Sequence, residues 1–221
     1  MDMIGIDEAR MLVADADLWP RIRDFLWDFA PQIHPSWVED LEVGAAKGVF
    51  QTLNLSDSQT FKRFLLASLG VEPCFHVFPK NDWSRLLLLD GAALESIVKW
   101  LGAIACAENL RRVTDGKVVR ELKVALSGVY PEVLGYTMYF RDVAAKNAED
   151  ANGVISAGLE ILREIVAGLD FTLKSRLKLK LPKEYCALCD LCGKEDARTV
   201  ESSVVAKLLK LRFPEAHSLC C

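Results

Sequence analysis

The sequence predicts a mainly α-helical protein: a single compact domain over residues 1–221, with seven or eight helices and room for one short strand pair. Three observations predict it. Apolar residues recur at the 3.6-residue helical period through most of the chain. Ser, Asp, Gly and Pro stand where helix caps and stops belong. Composition is that of a globular chain, 51% hydrophobic and 26% charged, with only 8 Pro and 13 Gly. A chain of 221 residues buries roughly 70% of its unfolded surface, so folding requires neither a disulfide nor a metal.

The first helix carries Leu18, Ile22, Phe25, Leu26 and Phe29 and is closed by Pro31 and Pro35. Ser56 and Gln59 have capping-box spacing ahead of Phe61, Phe64, Leu65 and Leu69, and Gly70 is placed to end that helix. Asp90 caps the next, whose stripe is Leu94, Ile97, Val98, Leu101, Ile104 and Ala105. Residues 117–127 follow, with Val118, Val119, Leu122, Ala125 and Leu126 inward and Gly128 as the stop. Pro131 suits the first turn of a further short helix. Val154, Ile155, Leu159, Leu162, Ile165, Val166 and Leu169 form one long stripe. The last is Val204, Val205, Leu208 and Leu209, with Lys207, Lys210 and Arg212 toward the end, where the helix dipole favours cations. One segment departs from this period. Leu177, Leu179 and Leu181 alternate with Arg176, Lys178 and Lys180, which is strand period, and a second strand candidate spans residues 74–78.

Charge and hydropathy exclude whole classes of function. The net charge is −4, whereas proteins that grip nucleic acid carry a basic excess to neutralise phosphates. The acidic N-terminus has no basic region before an apolar stretch, so no signal peptide is expected. The most apolar run, 86–107, is interrupted by Asp90, Gly91, Glu95 and Lys99 and makes a poor membrane span. Seven cysteines without an export signal are expected as reduced thiols, in the cytosol.

The catalytic patterns are mostly missing. Gly116-Lys117 and Gly193-Lys194 lack the earlier glycine and following hydroxyl of a phosphate loop. Ser156 lies in Gly-Val-Ile-Ser-Ala-Gly, one residue too long for a nucleophile elbow. Ser96 and Lys99 match Ser-x-x-Lys without its companion motifs, a spacing any helix produces by chance. Of the three histidines, His34, His76 and His217, none stands beside a nucleophile in sequence, and each reads as a surface or satisfied core residue. No cofactor is expected. The one metal-like constellation is Cys186, Cys189 and Cys192, with His217, Cys220 or Cys221 as a fourth zinc ligand. The same run resembles part of an iron–sulfur motif, but it lacks the further Cys of that motif. A single cluster without a second Cys-x-x-Cys pair fits structural thiols on one face of a short helix better.

Residues 86–106, with Leu110-Arg111-Arg112 leading into 117–127, resemble the middle of the K-type accessory proteins of bacterial type III secretion (the Yop translocation protein K, or SctK, family). Arg176-Leu-Lys-Leu-Lys-Leu-Pro182 resembles that family's late segment, and Gly128-Val-Tyr-Pro-Glu-Val-Leu-Gly135 falls between. The resemblance is strongest over 86–182. It implies a non-enzymatic cytoplasmic adaptor of the sorting platform. Its partners would be the cytoplasmic domain of the inner-membrane ring protein and the pod protein that carries the ATPase complex. Location would be the inner face of the inner membrane, reached through those partners. The cysteine cluster does not belong to the family pattern, and a metal-binding or redox-responsive regulator is the alternative.

Two surfaces suggest themselves for partners. The basic edge of Arg176, Lys178 and Lys180 can meet an acidic partner, or its lysines are simply solvated while the leucines pack inward. The aromatic set Trp19, Phe25, Trp27, Phe29 and Trp37 reads as a core-facing helix before it reads as an interface.

Overall fold

The computed structural model describes residues 18–44, 59–71, 86–136, 146–192 and 202–214. Eleven α-helices and no strand lie among the described residues. They are α1 (Leu18–Trp27), α2 (Pro35–Gly44), α3 (Gln59–Ser68), α4 (Gly91–Ala105), α5 (Ala107–Leu110), α6 (Gly116–Ala125), α7 (Val129–Tyr136), α8 (Ala151–Ile165), α9 (Phe171–Lys180), α10 (Tyr185–Leu188) and α11 (Ser202–Arg212). A 3-10 turn, Ala30–Gln32, follows α1. The mainly helical class is therefore as read; α2, α9 and the single turns α5 and α10 raise the count among the described residues above seven or eight.

Helix starts are set by aspartates. Asp90 accepts the Ala93 N–H at 2.7 Å, Asp150 the Gly153 N–H at 2.7 Å, and Asp170 the Leu173 N–H at 3.0 Å, each satisfying an orphan donor of the first turn. Pro35 opens α2 rather than merely closing α1. Gly70, at φ +67°, ends α3 in the left-handed conformation that a side chain resists.

The expected stripes are the core. Leu94, Ile97, Val98 and Leu101 of α4 are buried, as are Val154, Leu159 and Leu162 of α8 and Leu122 of α6. Between α4 and α8 the backbones themselves touch. A Cβ on Gly102 would lie 1.9 Å from the Val154 carbonyl oxygen, and one on Gly158 would lie 2.0 Å from that of Val98. Two glycines let these helices approach so closely, and α5, α6, α7 and α10 pack against the pair.

The main correction concerns residues 173–181, expected as a strand. They belong to α9 and its cap. Leu173, Arg176, Leu177 and Lys180 are buried together, which is one face of a helix at spacings of three and four. The alternation of leucine with cations has strand period only if each cation faces water. Arg176 and Lys180 instead point inward, being 2% and 0% exposed. The other strand candidate, 74–78, and the Ser56 cap lie outside the described residues.

Candidate functional site

The basic segment and the N-terminal helices are joined by a set of polar contacts. A helix leaves its last carbonyls without partners. Arg176 Nη1 donates to two of those of α1, the Phe25 carbonyl and, at 3.1 Å, that of Leu26. Its guanidinium also lies over the rings of Phe25 and Phe29, with centroids 5.8 and 5.2 Å away. One turn on, Lys180 Nζ donates to the carbonyls of Leu87 and Leu89 at 2.5 and 2.8 Å and faces the Phe25 ring at 4.9 Å. Burial pushes the pKa of this amine down to about 7, against the pull of the Asp90 carboxylate.

Backbone bonds continue the tether. His34 N–H donates to the Leu179 carbonyl at 2.8 Å, Trp37 Nε1 to that of Leu181 at 3.0 Å, and Lys183 N–H to the Ser36 hydroxyl at 2.9 Å. The segment is thus a post that fastens α1, the start of α2 and the turn at 86–89 to the core. The partner-facing edge expected of Arg176, Lys178 and Lys180 does not exist in that form. Two of its three cations are internal caps, and Lys178 alone reaches the surface, its ammonium 5.9 Å from the Trp37 ring. The Lys183 ammonium lies 5.8 Å from the same ring.

The other candidates also resolve into structure. His34 Nδ1 stands 2.8 Å from the Ser36 hydroxyl, a histidine–serine pair that sequence reasoning did not find. The hydroxyl already accepts the Lys183 amide, so the pair works as a joint between segments. Ser156 donates to the Leu188 carbonyl at 3.3 Å, and Lys99 pairs with Glu95 at 2.7 Å. The cysteines do not share a helix face: Cys186 is in α10, while Cys189 is already extended, at φ −154°. Burial raises the Cys186 thiol, and Cys192 sulfur lies 3.8 Å from the Ser175 hydroxyl. Among the described residues no group of three His, Cys, Asp or Glu is arranged to hold a metal ion. His76, His217, Cys220 and Cys221 lie outside the described residues. The aromatic set divides: Phe25 and Phe29 are buried, Trp19 and Trp27 are 38% and 54% exposed and meet edge to face at 5.7 Å.

The sequence model of the family described as YOP proteins translocation protein K (YscK) matches residues 27–220, which takes in the whole of this tether except most of α1. The chain belongs to the YscK family. It is therefore a type III secretion component, from a family of structural parts of the apparatus and not a known family of enzymes. No curated protein and no solved structure matches the chain. No helix among the described residues is long and apolar enough to cross a membrane. In YscK terms, the late basic segment is an internal fastening of the fold. A helical reading of 171–180, prompted by Asp170 as a cap, would have placed Leu173, Arg176, Leu177 and Lys180 on one side and found it.

Proposed function

We propose that this YscK-family chain is a non-enzymatic adaptor of the sorting platform, acting as one domain over 1–221. It links the cytoplasmic domain of the inner-membrane ring protein to the pod protein that carries the ATPase complex. It is held at the inner face of the inner membrane through those partners. The observation that carries this reading is the family match over most of the chain. The geometry agrees with it: Arg176, Lys180, Ser156 and Lys99, the groups that the sequence offers for chemistry or charge, are engaged inside the fold. What remains for partners is surface.

The test is co-expression with the ring protein's cytoplasmic domain and with the pod protein, followed by size-exclusion chromatography. The adaptor reading expects co-elution with both. Separate elution of folded proteins would overturn it.

A further inference from the structure

Residues 111–123 carry Arg111, Arg112, Lys117, Arg120 and Lys123 against only Asp115 and Glu121, in a protein whose net charge is −4. Both carboxylates are engaged locally. Asp115 caps α6 by accepting the Lys117 N–H at 2.7 Å, and Glu121 stands 4.0 Å from the Lys117 ammonium one turn back. Arg111 is turned to the fold, with Nη2 on the Leu134 carbonyl at 3.2 Å. The Arg120 guanidinium bonds the Gly116 carbonyl of its own helix at 3.1 Å and has no carboxylate partner among the described residues. The Lys123 ammonium has no polar partner among them at all.

The helical period sorts α6 into two sides. Leu122 is its buried residue, and Val118 and Val119 pack partly buried beside it. At about 3.6 residues per turn, Lys117, Arg120 and Val124 emerge on the opposite side with Lys123 on its flank. Neighbours three and four apart there have Cβ atoms about 5–6 Å from each other. Exposure agrees: the Lys117 side chain is 79% and Val124 80% exposed, and Arg120 and Lys123 are exposed. A β-branched residue facing solvent on a helix lowers helix propensity and gains no burial, a loss recovered when another surface covers it. The face is also held at both ends, by the Asp115 cap and by Ser127 and Gly128, whose φ of +46° and +85° turns the chain into α7. A partner therefore meets this backbone already ordered.

We infer that the outward face of α6, Arg120 and Lys123 around Val124, is a docking site for an acidic segment of a partner protein. The partner's carboxylates meet the two cations, and an apolar side chain covers the valine. The inference rests on the adaptor reading and gives the chemistry of one of its contacts. A protein segment fits better than a nucleic acid or an anionic bilayer. Those polyanions reward many cations at once, and an overall negative protein repels them.

The test measures affinity for the ring protein's cytoplasmic domain and for the pod protein, with wild type, Arg120→Glu/Lys123→Glu and Arg120→Lys/Lys123→Arg. Both positions are on the surface, and an unchanged melting temperature is the folding control. If the reversed pair folds poorly, Arg120→Gln/Lys123→Gln takes its place. The site predicts at least about tenfold weaker binding of one partner by the reversed pair, and retention by the charge-conserving pair. It also predicts that raising sodium chloride from about 50 to about 300 mM weakens the wild-type complex. Equal binding of both partners by wild type and the reversed pair overturns this site and leaves the adaptor reading standing. Equal loss in the charge-conserving pair overturns it as well. Anionic vesicles or duplex DNA bound by wild type and not by the reversed pair, with both proteins bound equally, would assign the face to a polyanion instead. Wild type binding neither partner overturns the adaptor reading, and this inference falls with it.

Discussion

Arg176, Lys178 and Lys180 lie within one turn and a half of helix, yet they occupy three different environments. Long basic side chains bury their stems readily, so what matters is where the charged head ends. For Lys180 it ends in the interior, on two carbonyls and an aromatic face. The amine's pKa is about 7 in the fold and 10.5 when unperturbed. Below pH 7 folded and unfolded chains both carry the proton, and the desolvation cost is fully present. Above it the unfolded chain keeps a proton that the folded chain has lost, so stability rises with pH. Cys106 works in the opposite sense from pH 9 upward, because burial raises its thiol from 9.0 to about 11. The window is therefore pH 7 to 9. Urea unfolding there is expected to show stability rising, by at most about 1.4 kcal/mol per pH unit. In Lys180→Met that slope disappears, and a flat wild-type profile would contradict the account.

At the scale of elements, the pair α4 and α8 sets the tolerance of the core. Replacing a mid-helix glycine by alanine ordinarily favours the helix by about 0.5–1 kcal/mol. At Gly102 and Gly158 the sign reverses, because the added methyl meets a carbonyl oxygen of the facing helix. Overpacking of this kind costs about 1–3 kcal/mol or more. Gly102→Ala and Gly158→Ala are each expected to lower the unfolding midpoint, whereas Gly116→Ala, with open space at its Cβ, is not. Thermal melts of the three variants check this. Elements of this sort were legible in sequence wherever one side chain type faced one way. The stripes of Leu94 to Ala105 and Val154 to Val166, the Asp90 cap and the Gly70 stop all follow from period and punctuation. The glycine contact was not legible, since it depends on which two helices cross. Nor was α9, whose inward cations break the assumption that charge marks the surface. The same error offered Arg176 and Lys180 as contact residues and left Trp37 unconnected to Lys178.

At the scale of the whole molecule, the C-terminal helix completes the core. Val205, Leu208 and Leu209 of α11 are fully buried, and Arg212 lies over Trp100 and Tyr136 at 4.7 and 5.1 Å while pairing with Glu132. Three aliphatic side chains of this kind are each worth about 1.5–3 kcal/mol of burial, a large part of a domain's net stability. Deleting residues from 202 onward is expected to uncover Trp100, with a red-shifted tryptophan emission and loss of a cooperative melt. An unchanged melt would show α11 to be dispensable.

The tether between α9 and α1 also has a meaning in time. Arg176 and Phe25 are 151 residues apart in the chain. A ribosome adding about 5–20 residues per second needs roughly 8–30 s to cover that interval. Through that time Phe25 and Phe29 have been made and the arginine that covers them has not. The nascent N-terminal helix is thus a natural client for chaperones during synthesis, and the cell closes this protein from its last third backwards.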